Sequence, residues 1–534
     1  MRSIKLTFCS IFLIILVTAQ SFAQYGAMPP FTVQIEAITG INIPGFHSFA
    51  FAQSGDKWLF IGGRTNGLHG VNSSDGFPPE FKNDAITVVD TSTWTYYQAD
   101  LNQLPKLIAD PMRSSNMQYI REGNYLYMMG GYGYDSTLSH FTTYPKLTAI
   151  HVDNMINAVI NSLPIASTVR QVVDTNLAVC GGELGKIGST YYLVAGHNFS
   201  GRYTDPDIGL FVQKYSDKIK KFNLSDDGTT ITLSGFTYQT DTTNFHRRDF
   251  NMGPIIEPGG AQGLEVFGGV FRKDSTLPFR EPITIDAGGT TVNTTYQQVM
   301  NQYTCAMLPI YDSVTQTMYT TFLGGISLYD YNPGTHLAIR DSLVPFVSDV
   351  TTFTTHAGGL VEETVLPTQL PGLLGANSKL IPTQHVSSYS NDVIKIRDLP
   401  NTKTLAGYLF GGIRAAQNNL GSSISNDTIY RVYIIPNNTS VGIDEASNSI
   451  QNTMLFPNPA TQNTTLLFNL KNTEEIKITL FDITGKEMMQ IANEEMQKGN
   501  QQVNINTSKL SAGIYICKVQ GNSGERLLKL AIEK

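Results

Sequence analysis

Short apolar and aromatic runs, separated by turns rich in Gly, Asn, Asp and Ser, recur along the whole of this 534-residue chain and predict an all-β protein. Six runs end in two small residues: KWLFIGG (Gly62, Gly63), YLYMMGG (Gly130, Gly131), YYLVAG (Ala195, Gly196), LEVFGG (Gly268, Gly269), YTTFLGG (Gly324, Gly325) and GYLFGG (Gly411, Gly412). Their intervals of 68, 65, 73, 56 and 87 residues predict one repeated unit with loops of variable length. Small residues are needed where the backbones of neighbouring units approach too closely for a Cβ atom. In the last unit the pattern predicts an inner strand near Asn391 to Ile396, a second at Gly407 to Phe410 and a third at Thr428 to Ile435, with no fourth before the polar stretch that Pro436 opens. An alternating strand, Phe31 to Ile38 (FTVQIEAI), precedes the first unit's inner strand at His47 to Gln53. It is expected to complete the last unit and cover its open edge. Asp153 to Leu163 reads as a short helical insertion, and Asp341 to Pro382 holds either long loops or a further unit.

The first unit, GDKWLFIGGRTNG followed by NDAITVVDTSTWTYY with Trp94, resembles a blade of the kelch β-propeller in its glycine doublet, third strand and Trp-bearing fourth strand. Later units depart from that pattern, the third carrying Ala195 for the first glycine. The resemblance implies a six-bladed kelch-like β-propeller over residues 24–435, with seven blades as the alternative.

Residues 453–534 carry a second set of short strands: Leu466 to Leu470, Ile476 to Ile483, Val503 to Ile505, Ile514 to Val519 and Leu527 to Ile532. Four ordered blocks, LFPNPATQNTTLLFNL, IKITLFDITGKEMM, LSAGIYICKV and GERLLKLAIEK, resemble the type A C-terminal sorting domain of the type IX (Por) secretion system of Bacteroidetes. The resemblance implies a small β-sandwich that is recognised by the type IX machinery and removed by its sortase. Residues 436–452 (PNNTSVGIDEASNSIQN) form a polar linker suited to exposing the cleavage point. An ordinary β-sandwich binding module is the alternative.

The other end of the chain agrees with export. Arg2 and Lys5 precede an apolar run from Ile11 to Val17, and Ser21-Phe22-Ala23 offers small residues to a signal peptidase, so residues 1–23 read as a signal peptide. That run falls short of the roughly 20 residues of a membrane span, and no other stretch approaches this length. A net charge of -7 gives no basic footprint for nucleic acid. Four cysteines are too few for a disulfide scaffold, and Cys180 and Cys305 fall on units that are not neighbours.

No zinc spacing, phosphate loop, nucleophile elbow or calcium loop is found, so neither cofactor nor metal is assigned. Asp205 and Asp207 in RYTDPDIG make a turn more readily than a cation site. The resemblance to kelch propellers places the loops after the doublets on one face, near the channel mouth. This nominates Arg64, Asn66, Tyr132, His197, Arg272 and Arg414 as ligand-binding residues, since guanidinium forks match carboxylates and aromatic faces stack on sugars. The plainer alternative is a ring of solvated loop residues making rim salt bridges. Two functions remain open: a secreted or surface propeller that binds a glycan or protein ligand, and a secreted kelch-type carbohydrate-active enzyme, oxidase-like or sialic-acid-epimerase-like.

Intact-mass measurement on surface or medium protein is expected to show loss of residues 1–23 and of the tail after about residue 452. Secreted material that retains the full tail contradicts the sorting reading.

Overall fold

The computed structural model describes residues 26–69, 76–204, 209–335, 337–419, 421–437, 449–483, 485–522 and 524–533. Residues 1–23, expected to be a signal peptide, Asp205 and Asp207, and residues 438–448 of the linker lie outside them. Among the described residues, six sheets of four principal strands follow one another between Phe31 and Pro436. Their inner strands are Ala50–Ser54, Gln118–Glu122, Glu183–Ile187, Asn251–Ile256, Ala306–Asp312 and Leu373–Pro382, and all six wall a single central cavity. Each inner strand packs against the next, and Gln53 Nε2 donates to the Pro382 carbonyl at 3.1 Å where the last blade meets the first. The fold is a six-bladed β-propeller.

The small-residue doublets occupy the junctions between blades. Gly63 lies at φ +85°, and a Cβ there would stand 2.2 Å from the His47 carbonyl oxygen. At Gly130 the same atom would stand 2.0 Å from the Val179 carbonyl oxygen of the next blade. Both positions therefore exclude any side chain, for reasons of backbone conformation and of space.

Ring closure follows the expectation. The strand Phe31–Ala37 pairs antiparallel with Tyr430–Pro436, in register from Phe31 opposite Pro436 to Ala37 opposite Tyr430. Phe31 and Val33 are buried against the fifth and sixth blades, among Leu308, Tyr319, Val432 and Ile434. The sixth blade thus takes its outermost strand from the other end of the chain.

Its innermost strand is not the expected one. Asn391 to Ile396 contributes only Ile394–Lys395, which runs parallel beside Ile310 and Tyr311 of the fifth blade. The sixth inner strand is Leu373–Pro382, interrupted by a register shift between Leu373 and Ala376. Its polar centre, Asn377-Ser378-Lys379, reads as loop because an inner strand faces a wet channel and not the core. Asp341 to Pro382 accordingly holds the outer strands of blade five and the inner strand of blade six, with no seventh blade among the described residues. The helical insertion is Val152–Ile160, which buries Val152, Met155, Ile156 and Val159 against the first two blades.

The tail forms a separate sandwich. One sheet contains Ile450–Phe456, Asn463–Leu470 and Gly499–Asn506, and the other Glu487–Met496, Glu474–Asp482, Gly513–Gly521 and Gly524–Ile532. Leu466, Phe468, Ile476, Ile478, Cys517, Val519 and Leu530 fill the space between them.

Replacing Val33 with Asp puts a charge into the closing contact, where the side chain is 2% exposed. Chemical denaturation is expected to show a loss of about 3 kcal/mol or more, against little change for Thr32→Asp on the half-buried face. Equal effects of the two substitutions contradict the assignment of this strand as the clasp.

Candidate functional site

The residues nominated from the doublets do lie on the face of the second-to-third-strand connections, yet most are engaged inside the protein. Arg64 is 3% exposed: its Nε donates to Asn66 Oδ1 at 3.2 Å, Nη2 donates to the Pro78 carbonyl at 2.7 Å, and the guanidinium lies 3.7 Å from the centre of the Phe77 ring. Tyr132 is buried among Phe77, Phe141 and Phe199, with its hydroxyl donating to the Gly201 carbonyl at 2.7 Å. His197 is buried too, with Nδ1 2.6 Å from Gln213 Nε2, and burial together with the nearby Arg248 holds its imidazole well below the usual range. Arg272 pairs with Glu281 at 3.0 Å. Arg414 Nη2 donates to Asn426 Oδ1 at 2.7 Å and to Thr428 Oγ1 at 2.9 Å.

Of these residues Arg64 bonds Asn66 directly and shares with Tyr132 a crevice of about 10 Å³, room for a single water. Arg272 and Arg414 stand apart from them in their own blades. The cause is local structure that the doublet pattern does not reveal. Tyr132 and His197 open two-stranded hairpins, Tyr132–Asp135 with His140–Thr143 and His197–Gly201 with Phe211–Tyr215, which pack on one another and bury their first residues. The alternation in YGYD, HFTT and FVQKY carries that signal.

The larger space is the central channel, a cavity of about 740 Å³ walled by all six inner strands. Side chains that alternate inward supply its lining, including Phe51, Tyr119, Arg121, Glu183, Met307 and Lys379. The Phe51 and Tyr119 rings are 5.7 Å apart, and Lys379 Nζ is 5.4 Å from the centre of the Tyr119 ring. Burial pushes the Glu183 carboxyl up to about 7, an effect that Lys379 opposes and Asp249 reinforces. Burial, with Glu183 adding, holds the Tyr119 hydroxyl well above its usual range. An aromatic platform, an ammonium and a half-protonated carboxyl thus share one chamber, within the roughly 300–1,000 Å³ of small-molecule pockets. None of these residues belongs to a doublet, and single polar positions in otherwise apolar strands give little notice of themselves.

At the doublet end the channel is laced by backbone. Ser48, Asn116, Gly181, Asp249, Thr304 and Asn377, one per blade just before or within the inner strand, all have φ between 51° and 61°. The N–H of Asn116 donates to the Ser48 carbonyl at 3.3 Å, that of Gly181 to Asn116 at 3.0 Å, and that of Asp249 to Gly181 at 2.8 Å. Asn377 donates likewise to Thr304. At the other end the excursion from Thr383 into the Ile394–Lys395 strand borders the cavity with Gln384, Val386, Ser388 and Asp392, near Arg121 of the second blade.

Among the described residues no group of three or more His, Cys, Asp and Glu is placed to hold a metal ion. No helix among them is long and apolar enough to cross a membrane.

Residues 454–533 match the family described as the secretion system C-terminal sorting domain. Among the solved structures that resemble the chain are the following two. "Structure of YjhT" is 12% identical with a TM-score of 0.41, covering 72% of this chain and 95% of that one. The second, PorZ, described as an essential bacterial surface component of the type-IX secretion system of Porphyromonas gingivalis, is 9% identical with a TM-score of 0.17, covering 91% and 75%. At these TM-scores neither likeness bears on function. No curated protein matches the chain. The tail is a sorting domain of the type IX system, and the protein is one sent to the outer cell surface or beyond.

Buried carboxyls give this fold a definite response to pH. Glu265, 5% exposed in the fourth blade, is pushed up to about 8 by burial and by Glu257, and Glu183 to about 7. Each keeps its proton in the folded chain at pH values where the unfolded chain, with Glu near 4.3, has released it. Stability is therefore highest below about pH 4.5 as far as these groups are concerned, and falls as pH rises through 8. Thermal melts between pH 5 and 9 are expected to show that decline, and Glu265→Gln to flatten it by a few kcal/mol at the alkaline end. A pH response unchanged by the substitution contradicts the assignment.

Proposed function

We propose that this protein works outside the cell as a non-enzymatic binding propeller that holds a glycan or protein-derived ligand in its central channel. Its tail serves export and is removed by the sortase of the type IX system. The observation that carries the reading is the chamber of about 740 Å³, in which an aromatic pair, Lys379 and Glu183 converge while the rim arginines are spent on internal partners. Binding sites of this type combine an apolar wall with a few placed polar groups.

One observation favours a second reading, a secreted carbohydrate-active enzyme. A carboxyl poised near neutrality in a cleft is the kind of group that transfers protons in catalysis, and Glu183 is such a group.

The test is an array of glycans and extracellular peptides probed with the full chain and its variants. Lys379→Ala is expected to weaken retained ligands at least tenfold, as does removal of a central contact in other interfaces. Arg64→Ala with Arg414→Ala is expected to leave affinity within about twofold while lowering the unfolding midpoint, because these side chains hold loops together. Binding that depends on Arg414 and ignores Lys379 returns the site to the rim. Turnover of a bound glycan that Glu183→Gln abolishes establishes the enzyme instead.

A further inference from the structure

We infer that the central channel is a blind pocket for the end of a short saccharide, reached only from the face bordered by Arg121 and the Thr383 to Ile394 excursion. The inference rests on the reading of the channel as the binding site, and adds the ligand's chemical class and its route.

The route follows from the laced end. Four of the six neighbouring pairs are joined by backbone hydrogen bonds, which hold chains about 5 Å apart, and six residues at that spacing describe a circle about 10 Å across between Cα centres and much narrower between atom surfaces. The side chains of Ser48, Asn116, Asp249, Thr304 and Asn377 line the cavity at this level and fill part of that opening. Asp249 is tied there by Arg248, whose Nη1 lies 2.5 Å from its Oδ2. Widening the ring means breaking the interblade bonds, which are also part of what holds the propeller together. The opposite end is bordered by side chains and not by interlocked backbone: Arg121, Gln384, Ser388 and Asp392 are exposed on this rim. Asn391 Nδ2 donates to the Ile255 carbonyl at 3.2 Å and Gln262 Nε2 to Ser390 Oγ at 2.7 Å, anchoring the excursion to blade four. A chain cannot thread a channel closed at one end, so what enters does so by its terminus.

The class follows from the lining. A phosphate or polycarboxylate site gathers cations, but here Lys379 shares the chamber with Glu183, and no ion pair joins the two among the described residues. A ligand that suits both must offer an acceptor to the ammonium and a donor to the carboxyl. Sugar hydroxyls do both. The flat face of a pyranose also suits the Tyr119 ring, with Phe51 beside it, and the amides of Asn116 and Asn377 add donors and acceptors at the blind end.

The test uses the full chain and saturation-transfer NMR followed by calorimetry. The probes are glucose, galactose, mannose, N-acetylglucosamine, glucosamine, glucuronic acid, and the disaccharides maltose, lactose and chitobiose. At least one is expected to bind, with affinity no longer rising beyond two or three rings in the corresponding longer oligomers. Tyr119→Ala, Lys379→Ala and Glu183→Gln are each expected to weaken it at least tenfold. Ser388→Trp and Gln384→Trp, on exposed positions at the open end, are expected to block binding with the melting temperature unchanged, whereas Ile424→Trp on the opposite face has no effect. Absence of binding by every probe at millimolar concentration overturns the saccharide class. If a peptide then binds in a Lys379-dependent way, the channel reading survives that failure. Saccharide binding that ignores Lys379 and Tyr119 removes the channel itself, and binding blocked by Ile424→Trp but not by Ser388→Trp reverses the route.

Discussion

The whole structure depends on how closely the backbones of adjacent blades approach one another. At the doublet glycines a Cβ would press on neighbouring atoms, and at the laced end of the channel six residues take left-handed backbone angles, four of whose N–H groups reach the carbonyl of the preceding blade. Five of those six are not glycine, and each holds a conformation that most side chains avoid. Asn and Asp tolerate it best, and they fill three of the places. The cost is met by interblade hydrogen bonds that would otherwise go unmade in a partly buried position. The ring is thus tied both at its rim, by the clasp of Phe31–Ala37 on Tyr430–Pro436, and along its axis.

That tight approach decides what the charged residues near it can do. Arginines leaving a junction between closely packed blades find carbonyls and aromatic rings within reach before they find solvent, as Arg64 does with Pro78 and Phe77 and Arg247 does with Gly268 and Phe279. Both are buried, and their bonds secure the long connections of the first and fourth blades. The channel-facing side chains of the inner strands, Glu183 and Lys379 among them, are in the opposite position. They point away from the blade cores into a space that the ring geometry keeps open, and so Glu183 and Lys379 remain available to a ligand.

Much of this was legible in the sequence and the remainder was hidden for physical reasons. The doublets marked the blade junctions because close contact there imposes small residues, glycine at all but Ala195, whatever the loops do. The FTVQIEAI strand marked the clasp because one buried face imposes alternation, which Phe31 and Val33 supply. The sixth inner strand was missed because Asn377 and Lys379 line the channel instead of the core, which makes a strand look like a loop. The Arg64 and His197 side chains were expected at an open mouth because their positions after the doublets say nothing of the hairpins and the Phe77 ring that cover them. The channel residues had no sequence signal of comparable strength: it takes six strands far apart in the chain, each contributing a few positions, to make the chamber.

The fold also suits the export that the tail prescribes. Cys180 and Cys305 stay unpaired and buried, with burial pushing both thiols up to about 12, so they present little thiolate to an oxidising environment. Stability that small secreted domains take from disulfides is supplied here by closing the ring on itself, in a core large enough to sustain it. Closure also brings the two ends of the propeller together, since Asn437 N–H donates to the Pro30 carbonyl at 2.8 Å. The leader precedes this point in the chain and the linker to the sorting domain follows it. The described strands of the six blades all lie between Phe31 and Pro436, so removal of residues 1–23 and of the tail after about residue 452, as proposed, leaves the clasp and the described channel walls in place.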